Sequence, residues 1–189
     1  MKILVLDNYD SFTYNLVHIV RELGYGDQME VYRNDKIDLA DVEQYDKILL
    51  SPGPGIPEEA GIMPELLKQY GPTKSILGIC LGHQAIGEAF GAEIYNIGEV
   101  LHGIPMKNIV QKKDYLFEGL PQEFMGARYH SWAIKRSTLN GQLDLIASDE
   151  NGEVMGVAHK EYDVRGLQFH PESVLTENGK QIIKNWLLN

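Results

Sequence analysis

The sequence predicts an α/β protein built on a mostly parallel sheet with helices on both faces, extended by antiparallel strands in its second half. Two patterns and the chain length carry this expectation. Short apolar runs of buried-strand length recur at residues 3–6, 31–32, 48–50 and 76–79, with helix-like segments between them. Such alternation builds a parallel sheet. After Phe90-Gly91 the texture changes to short strand-like pieces at 93–95, 129–134, 143–147, 154–158 and 167–169, divided by Gly, Asn and Asp turns. Closely spaced strands of that kind favour antiparallel pairing. With 189 residues, 43% of them hydrophobic, the chain suits one domain over 1–189.

The first helix is the clearest element. Phe12, Leu16, Ile19, Val20 and Leu23 fall on one face, Gly24 stands where a C-terminal cap belongs, and Asp10 or Ser11 is placed to cap the start. A closing helix over about 179–188 places Ile182, Ile183, Trp186 and Leu187 against the sheet. The sequence shows no internal repeat, low-complexity tract or long linker.

Composition excludes several function classes. Lys and Arg total 17 against 27 Asp and Glu, a formal net charge of -10, so a nucleic-acid partner is not expected. At the N-terminus Asp7 follows four apolar residues, a run too short for a signal-peptide core or a membrane span. A cytoplasmic location without membrane attachment is expected. One cysteine cannot form an internal disulfide. There is no histidine pair at ligand spacing and no glycine loop ending in Gly-Lys-Ser or Gly-Lys-Thr, so neither a metal nor a nucleotide cofactor is expected.

That single cysteine sits in Ile76-Leu77-Gly78-Ile79-Cys80-Leu81-Gly82-His83-Gln84, a strand running through a tight turn into a helix. Glycines two residues to either side copy the nucleophile elbow with sulfur in place of oxygen. Side chains at 78 or 82 would collide with neighbouring backbone, and the elbow holds its central residue in strained dihedrals. A lone cysteine is ordinarily a small buried hydrophobe. At the N-terminal end of a helix, however, unpaired amides and the helix dipole favour thiolate, the form that attacks a carbonyl. The flanking glycines tip the reading to a nucleophile.

A thiol nucleophile needs a group to hold and transfer its proton, and six histidines compete for the role. His18 lies inside the first helix, and His83 follows the elbow too closely to face the sulfur. His170 ends the apolar run Gly166-Leu167-Gln168-Phe169, and Pro171 stops further pairing. It is therefore expected at a sheet edge, where open α/β sheets bind ligands. Glu172 lies two residues on, the same-face spacing of extended backbone, and can orient the imidazole. His130 and His159 are weaker competitors.

Gly78-Ile79-Cys80-Leu81-Gly82-His83-Gln84, read together with Gln168-Phe169-His170-Pro171-Glu172-Ser173, closely resembles the class I, triad-type glutamine amidotransferases. Asp7-Asn8-Tyr9-Asp10-Ser11-Phe12-Thr13-Tyr14-Asn15-Leu16, Ser51-Pro52-Gly53-Pro54-Gly55 and Arg128-Tyr129-His130-Ser131 narrow the resemblance to component II of anthranilate or aminodeoxychorismate synthases. It spans essentially the whole chain and implies a flavodoxin-like three-layer fold. It also implies Cys80 as nucleophile, His170 as general base and then acid, and Glu172 as the residue orienting His170.

The same resemblance sets the 51–55 loop, with Gly53, Pro54 and Gly55, against the substrate carbonyl. The N–H groups of Gly53 and Leu81 then act as oxyanion donors. Gln84 and the backbone around Ser131 and Trp132 grip the amino-acid end of L-glutamine. On its own terms, the Pro-Gly-Pro-Gly run after a strand is equally a plain surface turn. At two positions the sequence departs from the family's habit: Ile104 follows His102-Gly103 where relatives often carry lysine, and Trp132 stands where leucine is common. The first bears on partner contact and the second on the rim of the pocket.

The chain ends at Asn189 with no acceptor-binding residues after the amidase. A separate chorismate-binding synthase subunit, component I, is thus expected to receive the ammonia in tryptophan or folate synthesis. The segment from Asp7 to Leu16 is either part of that interface or a strand-to-helix loop with a polar cap. Two other readings use the same residues. A stand-alone thiol hydrolase of γ-glutamyl substrates needs no partner. A non-catalytic flavodoxin-like binding module leaves Cys80 with ordinary thiol reactivity.

Overall fold

In the computed structural model, which describes residues 1–139 and 141–189, strand β1 (Ile3–Asp7) is buried along its whole length. Ile3 and Val5 join one apolar cluster, and Leu4 and Leu6 join another. That split follows from the two-residue period of a strand covered on both faces. Helices α1 (Thr13–Glu22) and α4 (Gly179–Leu188) cover the first face through Leu16, Val17, Val20, Ile182, Ile183 and Trp186. On the other face α2 (Met63–Tyr70) and α3 (Leu81–Ala89) contribute Met63, Leu66, Leu67, Ala85 and Ile86. Each such aliphatic side chain removed from water stabilises the fold by about 1.5–3 kcal/mol.

The parallel half of the sheet comprises β2 (Met29–Arg33), β1, β3 (Lys47–Leu50), β4 (Ser75–Ile79) and β11 (Val164–Leu167), in that spatial order. Strands β10 (Val154–His159), β9 (Leu143–Ser148), β6 (Ile104–Val110) and β7 (Glu123–Arg128) extend the same sheet by antiparallel pairing. A separate ribbon pairs β5 (Ile94–Asn96) with β8 (Trp132–Ile134). The three layers, the parallel core and the antiparallel second half are those expected from the sequence. Among the described residues no helix is long and apolar enough to cross a membrane.

Several local expectations need correction. Strand β6 was not among the expected strands: its burial is mixed, with Ile104 and Pro105 exposed and only Asn108 fully buried. Of the 129–134 run, only the last three residues form a strand, and these pair outside the main sheet. Strand β11 stops at Leu167, and His170 reaches the sheet through an isolated bridge to Ala127. Helix α1 has Phe12 at its N-cap, without a side-chain cap. The Asp10 carboxylate instead accepts the Phe12 N–H at 2.7 Å, one residue upstream. The C-terminal end is as expected: Gly24 N–H donates to the Arg21 carbonyl and Tyr25 N–H to that of Val20, a Schellman closure.

Candidate active site

Strand topology brings the site together. β4 and β11 are parallel neighbours with Ile79 opposite Leu167, so the residues following both strands emerge at one sheet edge. The Cys80 N–H donates to the Leu167 carbonyl at 2.8 Å, fixing the elbow to the strand that leads to His170.

Cys80 adopts φ 52° and ψ -100° at the N-cap of α3. A non-glycine residue holds such a conformation only when its surroundings over-determine it, and functional sites are where this occurs. Here the turn packs backbone on backbone. A methyl group on Gly78 would lie 2.5 Å from the Gly82 carbonyl carbon, and one on Gly82 would lie 2.7 Å from the Leu50 side chain. The two glycines thus do what their spacing predicts.

The Cys80 thiol is 5% exposed and opens on a cavity of about 260 Å³. Gly53, Pro54, Gly55, Gln84, Ser131 and Trp132 line it, all residues nominated from the sequence. Val100, Leu101, His102, Tyr129 and His130 complete the wall. Larger clefts open elsewhere, around residues 57–94, 110–122 and 32–45, but none of these three has a cysteine or histidine in its lining.

His170 stands behind the sulfur, 1% exposed. Its Nδ1 lies 2.6 Å from Glu172 Oε1, and the pair is buried. Thr176 Oγ1 donates to the His170 carbonyl at 2.5 Å and accepts the Ala127 N–H at 2.9 Å, tying the dyad to β7. With Nδ1 committed to the carboxylate, Nε2 is the end left for proton transfer. It has no partner at ordinary hydrogen-bond geometry among the described residues. The Cys80 sulfur nevertheless acts on it. Burial opposes the charged ring, yet the neighbouring Cys80 sulfur and the hydrogen-bonded Glu172 carboxylate outweigh it and raise the His170 pKa to about 10. An imidazolium beside a thiol is the arrangement a cysteine nucleophile uses, and such contacts tighten when substrate binds.

The competing histidines have other work. His83 is fully buried beside Gly166, and burial lowers its pKa to about 3. His159 stacks on Tyr162 at 4.2 Å, and its Nδ1 accepts the Glu161 and Tyr162 N–H groups. His18 is exposed in α1, 3.0 Å from Glu22. His130 Nδ1 hydrogen-bonds the Trp132 carbonyl at 2.9 Å, and burial lowers its pKa to about 4, leaving the ring neutral. None of them faces both a thiol and a carboxylate.

Support for the 51–55 loop comes from an unexpected quarter. The Asn8 N–H donates to Ser51 Oγ and its side-chain amide to the Ser51 carbonyl, both at 2.8 Å, while Asn34 donates to Asn8 Oδ1. A Cβ on Gly53 would lie 2.6 Å from that of Asn8. The 7–10 segment therefore buttresses the loop, whatever else it does. Gly53 and Leu81 N–H have no backbone acceptor among the described residues, which leaves both free for an anionic oxygen. The Gln84 amide donates to the Trp132 carbonyl at 2.9 Å and to Gln168 Oε1 at 3.3 Å, so it fixes the cavity wall as well as lining it.

Sequence reasoning missed Gln168, whose amide nitrogen lies 3.8 Å from the Cys80 sulfur, and the aromatic surroundings of His170. Phe12 was absorbed into the apolar stripe of α1. Tyr129 stood in a motif without a role of its own.

Fold and site together define an α/β protein with a cysteine at a nucleophile elbow and a histidine–carboxylate pair behind it. Residues 4–189 match the glutamine amidotransferase class-I family, and the chain belongs to that family. It is 45% identical to the bifunctional protein TrpGD of Thermotoga maritima over 98% of this chain, but spans only 32% of that relative's length. It is 40% identical to the aminodeoxychorismate/anthranilate synthase component 2 of Bacillus subtilis, over 98% of this chain and 95% of the relative. Among solved structures, a Thermoplasma acidophilum protein assigned to GMP synthase superposes with a TM-score of 0.87. It shares 30% identity over 99% of this chain and 92% of that one.

Proposed function

We propose that residues 1–189 form one glutamine amidotransferase domain that hydrolyses L-glutamine and passes the ammonia to a chorismate-binding synthase subunit. The product is anthranilate, 4-amino-4-deoxychorismate or both, on the routes to tryptophan and folate. The observation that carries the reading is the His170–Glu172 pair seated behind a strained Cys80 at a small cavity.

In this mechanism the Cys80 thiolate attacks the side-chain carboxamide carbon of glutamine. The N–H groups of Gly53 and Leu81 stabilise the resulting oxyanion, a contribution of roughly 3–4 kcal/mol per donor in comparable sites. His170 gives its proton to the departing nitrogen, and the C–N bond breaks to release ammonia and leave a glutamyl thioester. His170 then takes a proton from water, which cleaves the thioester to glutamate and regenerates the thiol. Gln84, Ser131 and Trp132 hold the amino-acid end, and Pro54 and Gly55 shape the wall opposite.

The pKa of His170 sets a pH test. Because it is raised above the free imidazole value, the ring remains a proton donor well above neutrality, and kcat falls on an alkaline limb near pH 10. Glu172→Gln removes one of the charges that raise it, so the limb moves to lower pH by about one unit. An unmoved limb would dissociate Glu172 from the histidine.

A shielded handover to a partner fits the chemistry, since free ammonia in neutral water is mostly protonated and no longer nucleophilic. Exposed apolar side chains lie on segments that border the site: Val174, 100% exposed, and Leu175 just beyond Glu172, Val100, 77%, and Tyr14, 62%, two residues after Phe12. Val100 lines the cavity, and Ser173 lies 3.4 Å from the Tyr129 hydroxyl. A rim of this kind supports a protein partner covering the mouth. Val174→Asp is expected to weaken the complex with component I about tenfold without changing the fold of the isolated chain, as read by titration calorimetry.

The decisive experiment mixes the chain with a chorismate-using component I. It follows glutamine consumption and aminated product together, with ammonium salts as the control. Stoichiometric coupling supports the proposal. Glutamine hydrolysis that ignores the partner, or cleavage of γ-glutamyl peptides in preference, would instead make the chain a stand-alone thiol hydrolase.

A further inference from the structure

We propose that Phe12 and Tyr129 are positioning residues, forming an aromatic wall along one side of the His170 imidazole so that its Nε2 stays directed at Cys80. The inference rests on the reading of Cys80, His170 and Glu172 as a triad. The carboxylate restrains the ring at one atom only, through Nδ1, and a single hydrogen bond leaves an imidazole free to pivot about it. A second restraint is needed to fix the ring plane, and the two aromatic rings supply it.

Phe12 meets His170 with ring centres 5.4 Å apart at 71°, and Tyr129 meets it at 4.9 Å and 62°. The two rings touch each other at 4.8 Å, so they form one continuous wall on the same side of the imidazole. His102 packs on Tyr129 at 5.2 Å and 86°. These are the tilted and edge-on geometries that aromatic pairs prefer. Neither Phe12 nor Tyr129 belongs to either apolar cluster beneath the helices, so core packing does not account for them. They come from distant parts of the chain, one at the start of α1 and the other just after β7, and both meet this ring. Aromatic π-systems also favour a neighbouring cation over a neutral ring, so the wall supports the protonated form that must give its proton to the leaving nitrogen.

The test measures glutamine hydrolysis by the full chain with its component I, and alkylation of Cys80 by iodoacetamide, both as functions of pH. Wild type is compared with Phe12→Leu, which keeps bulk but removes the π-system, and with Phe12→Tyr, which restores it. The titratable groups facing His170 are Cys80 from the elbow, Glu172 on its own segment, and His130 and the Tyr129 phenol from the β7–β8 connection. All of them are unchanged in these variants. Phe12→Leu should lower kcat about tenfold with KM within about twofold. It should also move the alkaline inflection of both profiles to lower pH by about half a unit, and Phe12→Tyr should recover most of both.

Unchanged kcat and inflection in Phe12→Leu would overturn the proposal. So would equal losses in both variants with a lowered Tm, which would mark Phe12 as a packing residue alone. Absence of glutamine hydrolysis by the wild type would count against the substrate assignment, while the alkylation profile would still decide the positioning role of Phe12.

Discussion

Cys80→Ser is expected to lower glutamine hydrolysis by at least about 10⁴-fold while leaving synthesis from ammonium salts by the partner intact. The substitution is nearly isosteric, so the elbow with its φ of 52° and the packing of Gly78 on Gly82 should persist. What changes is the attacking atom. The His170–Glu172 pair stabilises a charge that a thiol can release near neutrality and an alkoxide cannot, because the hydroxyl holds its proton far more tightly. The loss should appear in kcat, with glutamine binding to the cavity largely preserved. A serine variant that turned over glutamine at a tenth of the wild-type rate would remove Cys80 from the chemistry. Simultaneous loss of the ammonium-dependent reaction would point instead to a damaged complex.

Gly179→Ala should be the most damaging conservative change distant from the cavity. Gly179 opens α4 directly against the backbone between the two dyad residues. A methyl group there would land on the Pro171 carbonyl oxygen, 2.7 Å from the carbonyl carbon and 3.1 Å from Cα. Neither side can yield easily. Pro171 is held between His170, whose N–H donates to Ala127, and Glu172, whose carboxylate binds His170; α4 is anchored by Trp186, fully buried. Overpacking of this kind costs about 1–3 kcal/mol. If the chain relieves it by moving 171, the imidazole shifts with it, and a displacement near 1 Å lowers kcat about a hundredfold. Thermal melting and glutamine kinetics on the same preparation separate the two effects. Wild-type values in both would show that the helix and the 170–172 segment are not packed as described.

Much of the site was legible because its chemistry is written in short, local patterns. The elbow glycines flank Cys80 at fixed spacing, and Glu172 follows His170 by two residues, although a turn closed by the Ser173 N–H on the His170 carbonyl, and not the extended backbone expected, brings that pair together. Strand β1 and helix α1 were equally clear, since one opens with four apolar residues in a row and the other repeats at three and four residues. Strand β6 was not, because its burial is mixed and its residues lack a clean two-residue alternation. The proton partner of Cys80 could be ranked by its setting, but the displacement of His83 and His159 into structural roles depends on burial and stacking that no local pattern encodes. Asn8 illustrates the same limit: its hydrogen bonds to Ser51 span 43 residues.

By itself the sequence determined the layered α/β class, the thiol at its elbow and the histidine–carboxylate pair, because each is fixed by residue type and spacing within a few positions. Only the tertiary structure decided that β4 and β11 lie side by side, so that residues 80 and 170 share one edge. It also decided that Phe12 and Tyr129 close on the same imidazole and that Gly179 abuts Pro171. The physical reason is common to all three. Each contact lies beyond the reach of a local pattern, and its geometry is set by how the packed layers meet.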